Sequence, residues 1–174
     1  ARRMKASSKP AFLVNTSDDA VFVLIHGKAN FLNANTFKQF IDASLKKPHT
    51  YYIIDFENCS GMDSTFLGII AWLGLQIKQS NGRSYLIVRN FNQRNKELFY
   101  NLGLQNFITT EEAILEAGAL NPARENTLTP LEEGERCKAI DVLNAHKTLV
   151  EASKGNATLF KDLINLLENK VQSE

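Results

Sequence analysis

Several residue types and patterns are scarce in this sequence, and each scarcity narrows what the protein can be. Cysteine occurs twice, as Cys59 and Cys137, far apart and in no CxxC pair. A disulfide framework is therefore not expected, and a reducing compartment is the natural setting. The three histidines, His26, His49 and His146, have no second His or Cys at metal-ligand spacing, so no metal site is expected. Neither sign of charge dominates: 20 Lys and Arg stand against 19 Asp and Glu. A net charge of +1 gives no electrostatic reason to expect nucleic acid or a membrane surface as partner. No apolar run is long enough for a membrane span. The most apolar stretch, Phe66 to Ile77, is broken by Gly68 and Gly74 and borders Lys78. Ala1 to Pro10 is basic and polar with no apolar run after it, which does not read as a signal peptide, and a cytoplasmic location is expected. There is no GxSxG elbow, GxGxxG turn or Walker A glycine run. The expectation is a protein with no cofactor and no catalytic residue, not an enzyme.

What remains is an ordinary composition for a folded protein, 44% hydrophobic and 22% charged over 174 residues, enough for one domain with an appendage. Ala1 to Pro10 reads as a disordered arm. Ala11 to Asn15 and Ala20 to His26 are β-rich runs separated by Thr16-Ser17-Asp18-Asp19, which predicts a hairpin whose second strand Gly27 breaks. Asn33 to Lys47 carries Phe37, Phe40, Ile41 and Leu45 at helical spacing, and Pro48 ends it. Tyr51 to Phe56 is a continuous apolar run ending beside an acid, the pattern of a strand buried on both faces. A loop from Glu57 to Met62 then leads into a helix from Asp63-Ser64 to about Gln79. Ser84 to Val88 reads as strand, Gln93 to Asn101 as helix, Phe107 to Thr109 as a short strand and Glu111 to Ala117 as helix. This alternation predicts an α/β domain, a mixed sheet of four to five strands packed with helices, over residues 11–117. Residues 118–126 read as a linker, and 127–174 as a C-terminal helical hairpin. The hairpin's first helix is expected to start at Thr129-Pro130-Leu131-Glu132, with Thr as N-cap and Pro at the first helical position.

One segment stands apart. In Asp55 to Ile70, DFENCSGMDSTFLGII, a buried strand runs out and Asp63-Ser64-Thr65 opens an apolar helix. Ser and Asp are good N-cap residues, and taken alone they satisfy the free N–H groups of a helix end. A helix N-terminus also tolerates an anion. A phosphate on Ser64 would add about −1.5 to −2 charges beside Asp63, changing the sign of the surface more than its shape.

The order of strand, acid, loop and Met62-Asp63-Ser64-Thr65-Phe66-Leu67-Gly68 resembles the STAS domain family, in particular its anti-sigma-factor antagonists, whose motif is Met-Asp-Ser-Ser/Thr-Gly-Leu-Gly at a helix start. His26-Gly27-Lys28-Ala29 is similar to the glycine segment before the family's first helix. Asn81-Gly82-Arg83-Ser84 is similar to its turn into the next strand, and Leu98-Phe99 with Leu102-Gly103-Leu104 to its last motif. The resemblance covers roughly Phe12 to Ala117. It implies a STAS-like fold and a partner-switching role in transcription regulation. In that role the protein binds a serine-kinase anti-sigma factor, is phosphorylated at Ser64, and is restored by a PP2C-type phosphatase. Thr65 would be a minor phosphorylation site and Asp63 would support the phosphosite. Met62, Phe66, Ile69, Asn30 and Asn33 are the candidate partner-binding residues. The motif's first glycine is Phe66 here, which predicts a bulkier surface beside Ser64, and the helical tail lies outside the family's basic module.

Four questions stay open on the sequence. The helix after Ser64 has two apolar lines, Leu67-Ile70-Leu73 and Phe66-Ile69-Trp72, where a surface helix needs one. The second line is either covered by the chain itself or is a surface for a partner or for self-association into a homodimer. The alternative function is that of a non-phosphorylated STAS partner of a transporter ATPase or sensory complex. A serine enzyme built on Ser64 lacks a base nearby in sequence. The tail either covers the helix of Ser64, where it would compete with the kinase and autoinhibit the protein, or packs elsewhere as a stabilising or dimerising addition; the second is expected.

Overall fold

The structure is a computed structural model that describes residues 9–106, 108–110 and 127–174. The arm at the N-terminus, apart from Lys9 and Pro10, the helix expected at 111–117 and the linker at 118–126 lie outside the described residues.

The expected mixed sheet with helices against it is present. Its strands are β1 (Phe12–Thr16), β2 (Ala20–Ala29), β3 (Tyr51–Met62), β4 (Tyr85–Arg89), β5 (Thr109–Thr110) and β6 (Thr129–Pro130). They lie in the order β5-β4-β3-β2-β1-β6. β1 pairs antiparallel with β2 and with β6, and the pairs β2–β3, β3–β4 and β4–β5 are parallel. The helices are α1 (Ala34–Ser44), α2 (Ser64–Lys78), α3 (Gln93–Asn101), α4 (Ala139–Ala152) and α5 (Gly155–Gln172), with a 3-10 turn at Leu104–Asn106.

Side-chain alternation along the strands sorts the sheet's two faces. One carries Val21, Val23, Ile25, Tyr52, Ile54 and Phe56 into the main core with α1 and α2. The other carries Phe22, Leu24, Ile53 and Ile87, with Leu128 from the tail packed against them. At the centre of the main core Phe66 lies 5.1 Å from Phe37 and 6.0 Å from Phe12, ring centroid to centroid. Burying a phenyl ring here contributes about 2–3 kcal/mol.

Three local readings of the sequence are corrected. Gly27 does not break β2. It adopts φ 74° within a register shift, and the strand continues to Ala29. The loop expected at Glu57 to Met62 is strand, because β3 follows β2 through that irregularity as far as the Ala29–Met62 pair. Thr129-Pro130 does not start a helix. The pair adds to the free edge of β1, where the missing N–H of a proline costs nothing on an outer strand, and Leu131 N–H donates to the Phe12 carbonyl at 2.9 Å. The helical hairpin itself is present, but its first helix begins at Ala139, where Asp141 accepts from the Lys138 N–H at 2.7 Å.

Candidate functional site

Ser64 is the first residue of α2, immediately beyond the end of β3. Asp63 fixes that junction from two sides. One carboxylate oxygen accepts from the Phe66 N–H at 2.9 Å and caps the helix; the other accepts from the Phe31 N–H at 2.9 Å and ties α2 to the loop before α1. That loop is held by Asn30 and Asn33. The Asn33 side chain accepts from the Asn30 N–H and donates to the Lys28 carbonyl, and the Asn30 side chain accepts from the Leu32 N–H. Both asparagines thus shape the loop, and the loop presents Phe31 and Leu32 to solvent beside the helix start.

The structure divides the other candidates. Thr65 is buried, so its hydroxyl is withdrawn from any enzyme that modifies the surface. Phe66 is buried in the aromatic core and adds no bulk to the surface, contrary to the reading of a protruding ring beside Ser64. Ile69 is buried as well. Met62 is half-buried against the core at the end of β3.

What covers Ile69 is the tail. α4 lies along α2, and a crevice of about 40 Å³ between them is lined by Gly68, Ile69, Trp72, Ala145 and Thr148, among others. The approach is close at Gly68, where an added Cβ would fall 2.4 Å from the Ala145 carbonyl oxygen. The tail is pinned at a second place. Asn156, buried, donates to the Leu102 and Leu149 carbonyls at 2.9 and 2.8 Å, and Ser153 sits so close to Gly103 that a Cβ there would fall 2.9 Å from its side chain. Gly103 also has φ 75°, a conformation that favours glycine. The tail therefore returns to the helix of Ser64, contrary to the expectation that it packs elsewhere. The linker reading had no information about direction, whereas β6 carries the chain back across the sheet edge.

The contact reaches Ser64 itself. Its Oγ lies 2.7 Å from Nε2 of His146, a residue of α4 that is 1% exposed. The other ring nitrogen, Nδ1, lies 2.7 Å from the Val142 carbonyl. A carbonyl only accepts, so Nδ1 carries a proton, and in the neutral ring Nε2 is the acceptor for the Ser64 hydroxyl. Phe160 of α5 closes over the imidazole edge-on, with centroids 4.9 Å apart. Sequence reasoning missed His146 because 82 residues separate it from Ser64. Its position three residues from both Leu143 and Leu149, on the apolar face of α4, was the available signal.

A serine with a histidine acceptor is also the start of a nucleophile–base pair, which removes the objection that no base lies near Ser64. The pair departs from the usual form of such a site in two respects. The imidazole is sealed under Phe160, and its second nitrogen is held by a backbone carbonyl rather than a carboxylate. The two thiols are no better placed to react. Burial pushes the Cys59 thiol up, against hydrogen bonds that lower it, and Cys137 is pushed up to about 11, first by burial and then by the charge of Asp141. Among the described residues no group of three or more His, Cys, Asp or Glu side chains could hold a metal ion, and no helix is long and apolar enough to cross a membrane.

Midway along β3, Asp55 is fully buried. It accepts from Arg89 Nε at 3.1 Å, from the Asn90 side chain at 3.1 Å and from the Glu57 N–H at 2.9 Å, so its charge is spent on holding β3 to the β4 end.

Comparison with known proteins places this geometry. No curated protein matched the sequence. Among solved structures, the anti-sigma factor antagonist SpoIIAA in its unphosphorylated form is similar at 20% identity and TM-score 0.51, over 64% of this chain and 100% of that one. A putative anti-sigma factor antagonist from Thermotoga maritima is similar at 20% identity and TM-score 0.51, over 62% of this chain and 91% of that one. An anti-sigma factor antagonist from Mycobacterium paratuberculosis is similar at 19% identity and TM-score 0.52, over 66% of this chain and 97% of that one. At these identities the likeness speaks for a shared fold. The family model for the STAS domain matches residues 11–117, the segment that holds the sheet through β5, the Asp63 cap and Ser64, and by that match the chain belongs to the STAS domain family.

Proposed function

We propose that this protein is an anti-sigma-factor antagonist-like regulator, switched by phosphorylation of Ser64. It binds a serine kinase that is itself an anti-sigma factor, and a PP2C-type phosphatase resets it, all in the cytoplasm. The observation that carries the reading is the placement of Ser64. Its hydroxyl stands at the first position of α2, beside a carboxylate that already holds both the helix end and the neighbouring loop. A phosphate added there meets a helix N-terminus that favours an anion, so the domain keeps its fold while the surface gains charge. A partner complementary to the neutral surface would then face a dianion that it must desolvate, at a cost of a few kcal/mol. Asp63 supports the phosphosite by holding the backbone on both sides of it. Phe31 and Leu32 join the docking rim, because both are exposed and the Phe31 N–H is tied to the same carboxylate.

The test is phosphopeptide mass spectrometry on the protein from growing and from starved cells, together with co-purification of bound proteins. Phosphate is expected at Ser64 and not at the buried Thr65. Ser64→Ala is expected to retain its partner under both conditions, and Ser64→Asp to lose it. Phosphate at neither residue under either condition refutes the switch.

A second reading has one specific observation in its favour. The Ser64 hydroxyl is already engaged by His146, which suits a STAS module that partners a transporter ATPase or sensory complex without being phosphorylated. The same mass spectrometry separates the two.

A further inference from the structure

The hairpin of α4 and α5 occupies the ground that a modifying enzyme needs. To phosphorylate Ser64, the γ-phosphate of ATP held by a kinase must approach Oγ in line. The Oγ–P bond forms while the bond from that phosphorus to the bridging oxygen breaks, ADP departs with the electron pair, and the hydroxyl proton passes to a base of the kinase. In this structure the proton is directed to Nε2 of His146, 2.7 Å away, and the imidazole with Phe160 behind it stands over one side of the hydroxyl. The face of α2 that follows Ser64, with Gly68 and Ile69, is under α4.

We infer that the α4–α5 hairpin is an internal latch on Ser64: docked, it withholds the hydroxyl and the adjoining α2 face from a kinase, and a phosphate on Ser64 prevents it from docking again. The second half follows from space and polarity. A phosphorus and three oxygens do not fit in a gap one hydrogen bond long. If the phosphate turns outward instead, the hydrogen bond to His146 is lost and Nε2 is left buried without that partner. Either way the docked state weakens, and modification and docking exclude each other. The rate of phosphorylation then scales with the fraction of molecules whose hairpin is open, since only that fraction is competent.

Three features make this a latch rather than core. The hairpin follows residues 11–117, the span of the family match, so strands β1 to β5 and α2 belong to a unit that does not include it. Its closest approach to α2 is Gly68 against Ala145, with one polar bond at its end, and of its large side chains Leu149 reaches the main core. Its outer face leaves Leu159 and Leu166 exposed, so it is not enclosed on the far side.

This inference rests on the reading of Ser64 as a phosphoacceptor, and the experiment is chosen to fail separately from it. The full chain is made with Ser64 replaced by phosphoserine through amber suppression, and amide hydrogen exchange is followed by mass spectrometry. Exchange in residues 139–172 is expected to quicken at least tenfold relative to the unmodified protein, with β2 unchanged as the measure of the intact sheet. Unchanged protection of the hairpin overturns the latch. A second arm covers the case in which the phosphoprotein unfolds as a whole. In a Cys59→Ala, Cys137→Ala background, Ser64→Cys is alkylated with iodoacetamide at pH 9.5, with and without Leu149→Asp, which drives a charge into the buried face of α4. Alkylation at least tenfold faster with Leu149→Asp supports the latch, and equal rates overturn it. Neither arm uses a cellular kinase. Absence of phosphate at Ser64 in cells would defeat the functional reading and leave these measurements standing, whereas unchanged exchange and alkylation would defeat the latch alone.

Discussion

Gly68→Ala is a one-methyl test of the whole arrangement. The change is favourable to an isolated α2, because alanine in a helix interior is better than glycine by about 1 kcal/mol. The assembled protein opposes it. The new Cβ would stand 2.4 Å from the Ala145 carbonyl oxygen and 2.7 Å from that residue's carbonyl carbon and Cβ. A carbon–oxygen contact normally closes at about 3.3 Å, so α4 must retreat by about 1 Å. A retreat of that size forfeits a quarter to a half of the dispersion along the α2–α4 contact. It also stretches the Ser64–His146 bond, now 2.7 Å, past useful length, at a loss of about 1 kcal/mol. Overpacking of this kind costs about 1–3 kcal/mol. Set against the helix gain, the net loss is about 2 kcal/mol, or a fall in Tm of about 4–8 °C for a chain of this length. Urea unfolding read by fluorescence of Trp72, the sole tryptophan, reports on the place concerned, since Trp72 lines the α2–α4 crevice with the Lys38 ammonium 5.1 Å from its ring centre. A Gly68→Ala protein as stable as the parent, or more so, would refute the packing of α4 on α2 and with it every statement made about His146.

Two further outcomes follow from the same geometry. Ser64 is expected to resist a fluorophosphonate probe, with no labelled peptide by mass spectrometry, because its histidine lies under Phe160; a covalent adduct on Ser64 would establish it as a nucleophile and refute this expectation. Cys137, with its thiol pushed up to about 11 in the fold from an ordinary value of 9.0, is expected to react with Ellman's reagent at pH 8 at least tenfold more slowly than after unfolding in guanidinium. Because the folded value is the raised one, its contribution to stability is complete below about pH 9 and is lost as the pH rises through about 11; a stability profile that rises over that window would contradict the burial.

The sequence carried the sheet and the junction at Ser64 because both are local. Alternating apolar runs report strands, and Asp63-Ser64 places a cap at a helix start, although the stretch before it was read as loop. The excess of apolar residues on α2 was legible too, but not whether the chain itself or a partner covers the second line. Phe66 turned into the sheet core, and Ile69 and Trp72 faced the tail. What was not legible was long-range. Thr129-Pro130 has a helix-starting composition, yet an unpaired strand edge outweighed it, since pairing with β1 offers backbone partners that an isolated helix start does not. The bond between His146 and Ser64 depends on where β6 sends the chain, and no periodicity encodes that. Gly103, part of a recognisable helix-ending motif, also serves as the seat for Ser153, a role visible only once the tail is in place.

The short span from β6 to α4 has a consequence for any outside partner of α2. Only residues 131–138 separate a strand fixed to the sheet edge from the helix that carries His146. A segment on so short a tether is held near its target at an effective concentration of about millimolar, present in every molecule and independent of expression level. A competitor for the same face must therefore bind far more tightly than the hairpin does, or be far more concentrated in the cell, before it occupies even half of the sites. Loosening the tether, for instance by lengthening 131–138 with glycine and serine, would lower that threshold without altering a single contact at Ser64.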